Sequence, residues 1–193
     1  MSSVKFSVAM LLAPISLGLL ALTGCSTAPP TQQGQADLST QTHAAFADML
    51  NTDPSLNDLV QKSYAYAVFP SIGSGGAGIA GAYGRGEVFQ GGKFIGYADM
   101  SQGTIGPQLG GETYSELIVF EDQQALNNFE ANKLAFAAGA SAVALKAGAA
   151  TNADFENGVA VFTKMTGGLM AAAAIGGQQF SFETPDTAQQ PQQ

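Results

Sequence analysis

Few side chains in this 193-residue chain can make or break bonds, and their types narrow what it does. It has one cysteine, Cys25, and one histidine, His43. A zinc site, an iron–sulfur cluster, a disulfide framework or a Ser-His-Asp relay each needs more of one or both. No metal, no cofactor and no enzyme of those types is therefore expected, and His43 reads as an ordinary helical histidine, exposed or packed. Four acids on apparent strands, Glu87, Asp99, Glu112 and Glu116, could supply the carboxylate pair of a glycoside hydrolase, which needs two such groups at a controlled separation; the plainer reading is four solvent-facing carboxylates. The bases Arg85, Lys93, Lys133, Lys146 and Lys164 could converge on one rim to meet lipid phosphates, or lie scattered for solubility. Arg85 is the leading candidate for a headgroup contact, because the glycines around it let backbone approach closely, and Lys93 is the next. A salt bridge from Arg85 to Glu87 or another strand carboxylate is the competing reading.

Gly73-Ser74-Gly75-Gly76-Ala77-Gly78 satisfies G-x-G-x-x-G, with Asp99 about twenty residues on. A dinucleotide fingerprint must open a helix, whereas Gly81, Gly84 and Gly86 continue here at strand spacing. Gly91-Gly92-Lys93 lacks the other residues of a phosphate loop and reads as a hairpin turn. Seven Lys and Arg against fifteen Asp and Glu give a net charge of −8. Neutralising nucleic-acid phosphates needs clustered bases, so no nucleic-acid partner is expected.

Cys25 has its own context. Lys5 precedes an apolar run from Val8 to Leu22, shorter than the roughly 20 residues of a bilayer-spanning helix, so it reads as a secretory signal. The run closes on Leu22-Thr23-Gly24-Cys25, which resembles the bacterial lipobox: an aliphatic residue, two small ones, and the thiol that takes a diacylglyceryl group. Several acyl chains on one residue anchor firmly, each buried CH₂ contributing about 0.8 kcal/mol. Ser26, in place of an aspartate, points by resemblance to enteric lipoproteins to the outer membrane, on its periplasmic side. Loss of residues 1–24 removes Lys5 and leaves six bases against fifteen acids, a balance of −9.

The elements that must position the remaining groups follow from periodicity. With Cys25 acylated, residues 26–36 read as a flexible, extended tether, reaching about 35 Å at roughly 3.3 Å per residue. The tail 184–193 reads as disordered, leaving residues 37–183 as one domain of sufficient size for a core. Thr42 to Asn51 puts Ala45, Phe46, Met49 and Leu50 on one helical face, and Asp53-Pro54 opens a second helix with Leu56, Leu59 and Val60 inward. After Ser63 the period changes to two. Strands are expected at 64–69, 77–89, 94–101, 104–112 and 115–120, then a short helix capped by Asp122 with Ala125, Leu126 and Phe129 inward, then strands at 140–147, 159–164, 168–175 and 178–183. Fourteen glycines fall between Gly73 and Gly111, and along 77–89 they leave one face nearly flat, as a tightly curved sheet requires. Pro107 demands an edge or a bulge. The expected fold is α+β: a glycine-rich, curved antiparallel sheet or partly closed barrel with a few short packed helices.

Tyr66-Ala67-Val68-Phe69-Pro70, the run Gly76 to Gly86, Gly103-Thr104-Ile105-Gly106-Pro107-Gln108-Leu109-Gly110-Gly111, Leu117-Ile118-Val119-Phe120 and the stretch from Gly167 to Phe180 together resemble the SYLF domain, over about residues 40–183. That resemblance implies a phospholipid-binding module, with phosphoinositides as eukaryotic ligands and actin as an additional fungal partner. The basic N-terminal segment linked to lipid contact in eukaryotic members is not matched here, where Lys62 faces Asp48, Asp53 and Asp58. The expectation is a non-catalytic, membrane-anchored envelope lipoprotein whose partner is phospholipid. The alternative is an envelope structural or protein-interaction module that uses its flat glycine and alanine faces against another protein.

Overall fold

The period-two pattern is continuous in the computed structural model, which describes residues 26–134, 143–168 and 177–185. Cys25 and nearly all of the expected strand at 168–175 lie outside them. Strands β1 (Ala65–Gln90) and β2 (Lys93–Phe120) form one long antiparallel hairpin, so the five short strands expected between residues 64 and 120 are stretches of only two. Prolines do not end them. Pro70 falls at the register shift between Phe69 and Ile72, and Pro107 where Ala77↔Leu109 gives way to Ile79↔Ile105; a bulge is where a ladder tolerates a residue without an N–H. At the closed end Gly91 and Gly92 have φ of +55° and +76°, which suits a two-residue turn whose twist matches its strands. The turn expected at Gly91-Gly92-Lys93 is there.

The hairpin folds back on itself. A Cβ built on Gly84 would lie 2.5 Å from Ile72 Cγ1, although twelve residues of straight strand span about 40 Å. Gly86 likewise lies against the Val68 carbonyl and the Phe69 ring. The glycine-rich stretch between Ile72 and Gly84 is therefore the bend, and the flat face receives the other half of its own strand. Strand β3 (Val143–Ala144) pairs parallel with β4 (Val159–Gly168), β4 pairs with the C-terminal half of β2, and β5 (Gln178–Glu183) with its N-terminal half. The fold is α+β with a curved sheet. The β3–β4 pair makes the sheet mixed rather than purely antiparallel, and it does not close into a barrel.

Helices α1 (Gln32–Thr52) and α2 (Ser55–Lys62) cover the outer side of the sheet. Met49 and Leu56 are fully buried there against Val68, Leu117 and Phe162. Asp53 joins these helices to the far loop: its carboxylate accepts from Ser55 N and Oγ, Gly148 N and Ala150 N. Burial alone would raise the Asp53 pKa, but these hydrogen bonds prevail and hold it below the ordinary value. Helix α3 (Gln123–Glu130) is capped by Asp122, which accepts from Ala125 N, and buries Ala125, Leu126 and Phe129 as its sequence dictates. Phe129 meets Phe120 and Phe180 in the core between the two halves of the hairpin.

The N-terminal stretch departs from the expected tether. Helix α1 begins at Gln32, ten residues before the expected start at Thr42. The Thr31 side chain accepts from Gly34 N, and Gln33 donates to Asp37 one turn on. These local bonds and the favourable helix propensity of glutamine suffice where apolar periodicity is lacking. Before the helix, Thr27 and Ala28 are buried, so residues 26–36 are part of the fold.

Candidate functional site

The outer face of the second half of the hairpin gathers side chains from three remote parts of the chain. Tyr83 and Arg85 alternate with Gly84 and Gly86, so the close packing of those glycines turns the two larger side chains outward. Asp99 is the cross-strand partner of Arg85, and Glu183 of Tyr97. Arg85 Nε donates to Asp99 Oδ1 at 3.0 Å, and the Tyr83 hydroxyl donates to the same oxygen at 3.0 Å. Arg85 Nη2 reaches the Tyr83 hydroxyl at 3.3 Å and the Ser26 carbonyl at 3.4 Å. Partial burial, then the charge of Asp99 and its hydrogen bond, raise the Tyr83 pKa against the opposing effect of Arg85. Tyr83 is nevertheless 52% exposed, and the ion pair is only partly covered.

Glu183 holds the first described residues in place. Its Oε2 accepts from Ser26 Oγ at 2.9 Å, Thr27 N at 2.8 Å and Ala28 N at 3.1 Å. Ala28 then packs with Leu38 of α1 and Tyr97 of β2. The residue that follows Cys25 is thus tied to the domain beside Arg85.

The other residues singled out by sequence fall elsewhere. Lys93 is exposed at the hairpin turn, six residues along β2 from Asp99 and so about 20 Å away along the strand; Arg85 and Lys93 do not form one site. Lys164 pairs with Asp48 of α1. Arg85, Lys93 and Lys164 therefore do not share one rim. His43 is exposed on α1, with Nδ1 2.8 Å from the Ser39 carbonyl and its ring edge-on to Phe89. Gly73 to Gly78 lies within β1 and opens no helix. Among the described residues no group of three or more His, Cys, Asp or Glu could hold a metal, and no helix is long and apolar enough to cross a membrane.

The four acids occupy three places. Asp99 is engaged by Arg85. Glu87 is buried beneath α1, where burial raises its pKa against the opposing effects of Thr42 and His43. Glu112 and Glu116 share a face of β2 on either side of Tyr114, their Cα atoms about 13 Å apart at strand spacing. Both are buried, not solvent-facing as the plainer reading had them. Glu112 accepts from Ser74 Oγ, and Glu116 from Gln178 Nε2. Burial pushes the Glu116 carboxyl up to about 7 against that one hydrogen bond, and burial followed by the two glutamates raises the Tyr114 phenol. Glu112 Oε2, Glu116 Oε1 and Gln178 Oε1 are buried without a hydrogen-bond partner.

With this geometry in view, the chain shows a distant likeness to a known protein. No family model matches the chain. It is 26% identical over 156 residues to Beta cell expansion factor A of Aeromonas veronii, a match covering 77% of this chain and 57% of that protein. The chain thus spans a little over half the length of that relative.

Sequence reasoning found Arg85 and its pairing with a strand carboxylate. It missed Ser26, Thr27 and Glu183. Glu183 closes the alternating segment QQFSFE, whose pattern turns it outward with Gln179 and Ser181, but nothing in the pattern says that residues 26–28 arrive there.

Proposed function

We propose that the protein is a non-catalytic envelope lipoprotein, anchored by acylated Cys25 to the outer membrane on its periplasmic side, whose SYLF-like domain engages phospholipid. The observation that carries this reading is the placement of Ser26. The lipobox-like Leu22-Thr23-Gly24-Cys25 ends one residue before it, and Ser26 is fixed next to an exposed tyrosine and a partly exposed arginine. An amphipathic aromatic ring beside a cation suits the interfacial layer of a bilayer. Of the alternatives, a protein partner seated on the flat glycine face is disfavoured at Gly84 and Gly86, where the chain itself occupies that face.

The test is membrane fractionation and vesicle flotation of the wild-type chain and Cys25→Ser, both produced in a bacterium that acylates lipoproteins. The wild type is expected to fractionate with outer membranes and float with vesicles, and Cys25→Ser to be released in soluble form. A Cys25→Ser protein that still fractionates fully with membranes would refute the acyl anchor.

A further inference from the structure

We infer that the outer sheet face around Tyr83, Arg85 and Asp99 is held flat against the bilayer by a latched anchor, and that it takes a zwitterionic phospholipid headgroup. This rests on the lipid-anchor reading above. The latch is Glu183, whose single oxygen gathers Ser26 Oγ, Thr27 N and Ala28 N. The burial of Thr27 and Ala28 removes the slack that residues 26–36 would otherwise give. The acylated residue is bonded directly to Ser26. Since Arg85 Nη2 is 3.4 Å from the Ser26 carbonyl, covalent geometry keeps it within about 10 Å of the Cys25 Cα. The polar layer of one leaflet is about 5–8 Å thick. A guanidinium that close to the anchoring residue is within reach of the headgroup layer when this face turns to the bilayer.

The choice of headgroup follows from charge. Arg85 is already paired with Asp99, and Glu183 lies nearby on the neighbouring strand, so the cluster as a whole is not cationic. The mature chain at −9 would be repelled by an anionic surface. A phosphate joined to an ammonium group fits better. No hydrogen bond engages Arg85 Nη1, Asp99 Oδ2 or Glu183 Oε1 among the described residues, which leaves a donor for the phosphate and acceptors for the ammonium on one face. Tyr83 supplies the interfacial ring.

The chain contains no tryptophan, so single tryptophans can report depth in the full acylated protein. Tyr83→Trp is compared with Asn57→Trp, an exposed site on α2 beyond the far end of α1, whose 21 residues span about 30 Å. Gln179→Trp, exposed on the same face as Tyr83, replaces the first reporter if that variant does not fold. In phosphatidylethanolamine–phosphatidylcholine vesicles carrying brominated lipid, the Tyr83→Trp emission should be blue-shifted and quenched while that of Asn57→Trp is not. Glu183→Ala added to Tyr83→Trp should abolish the quenching without reducing flotation. Equal quenching at the two sites in protein that floats overturns the oriented face and leaves the anchor reading intact, whereas wild-type protein that does not float overturns the anchor reading itself. Replacing part of the zwitterionic lipid by phosphatidylglycerol should leave the quenching unchanged or weaker, and a rise on doing so overturns the headgroup assignment.

Discussion

Glu116 gives the most direct test of the core. Its side chain is fully buried, Oε2 accepts one hydrogen bond from Gln178, and Oε1 has no partner. Burial disfavours the carboxylate and raises its pKa from 4.5 to about 7. The folded state then holds a proton more tightly than the unfolded chain. The Glu116 contribution to stability is greatest below about pH 4.5, declines as the pH rises towards 7, and levels off above it. At about 1.4 kcal/mol per pH unit, that interval corresponds to a loss of roughly 3 kcal/mol. Glu116→Gln keeps an oxygen to accept from Gln178 Nε2 and removes the buried charge. The variant should therefore be more stable than the wild type by about 2–3 kcal/mol at pH 8 and nearly equal to it at pH 4.5. Urea denaturation at pH 4.5, 6 and 8 measures both curves. A variant that is no more stable at pH 8, or whose advantage does not shrink on acidification, would refute the reasoning.

Three further substitutions probe the bend and the loop staple. Gly86→Ala must push its methyl group into the Val68 carbonyl and the Phe69 ring and should cost about 2–3 kcal/mol in urea unfolding, whereas Gly103→Ala, with open space at its Cβ, should change stability by less than about 0.5 kcal/mol; equal costs would argue against the folded-back hairpin. Asp53→Ala leaves the N–H groups of Ser55, Gly148 and Ala150 without their acceptor and should destabilise by about 3 kcal/mol at pH 7. Because the folded pKa of Asp53 is lowered, this contribution is present above pH 3.8 and is lost as the pH falls through the folded value, so the wild type and the variant should converge in acid and a gap that persists there would contradict the assignment.

Local chemistry was legible where one residue decided the outcome. Asp122 as the cap of α3, the Gly91-Gly92 turn, the inward face of α3 and the span of β5 all follow from short-range pattern, and the structure has each of them. Long-range facts were not legible. Whether a proline ends a strand or sits in a bulge depends on the register of a partner forty residues away, which is why one long hairpin reads as five strands. The glycine pattern announced close approach by something, but only the bend shows that Ile72 and Phe69 of the same strand are what approaches. Residues 26–31 carry no apolar period at all. Ser26, Thr27 and Ala28 are held by hydrogen bonds to Glu183, more than 150 residues distant, and no local rule reaches that far.

The same long-range contacts would reconcile an acidic protein with the membrane role we propose. At a screening length of about 8 Å in physiological salt, a chain of net charge −8 gains nothing from approaching an anionic leaflet. In the role proposed here, binding energy would come from the acyl chains on Cys25, at about 0.8 kcal/mol for each buried CH₂, and the domain's polar groups would determine orientation. A long tether would let the domain tumble and place those groups anywhere. Three hydrogen bonds to one carboxylate oxygen, together with two buried residues, hold residues 26–28 on the domain and would make the proposed attachment a fixed one. On that proposal, a single partly exposed ion pair beside an exposed tyrosine would meet the headgroup layer repeatedly in the same pose without a basic patch.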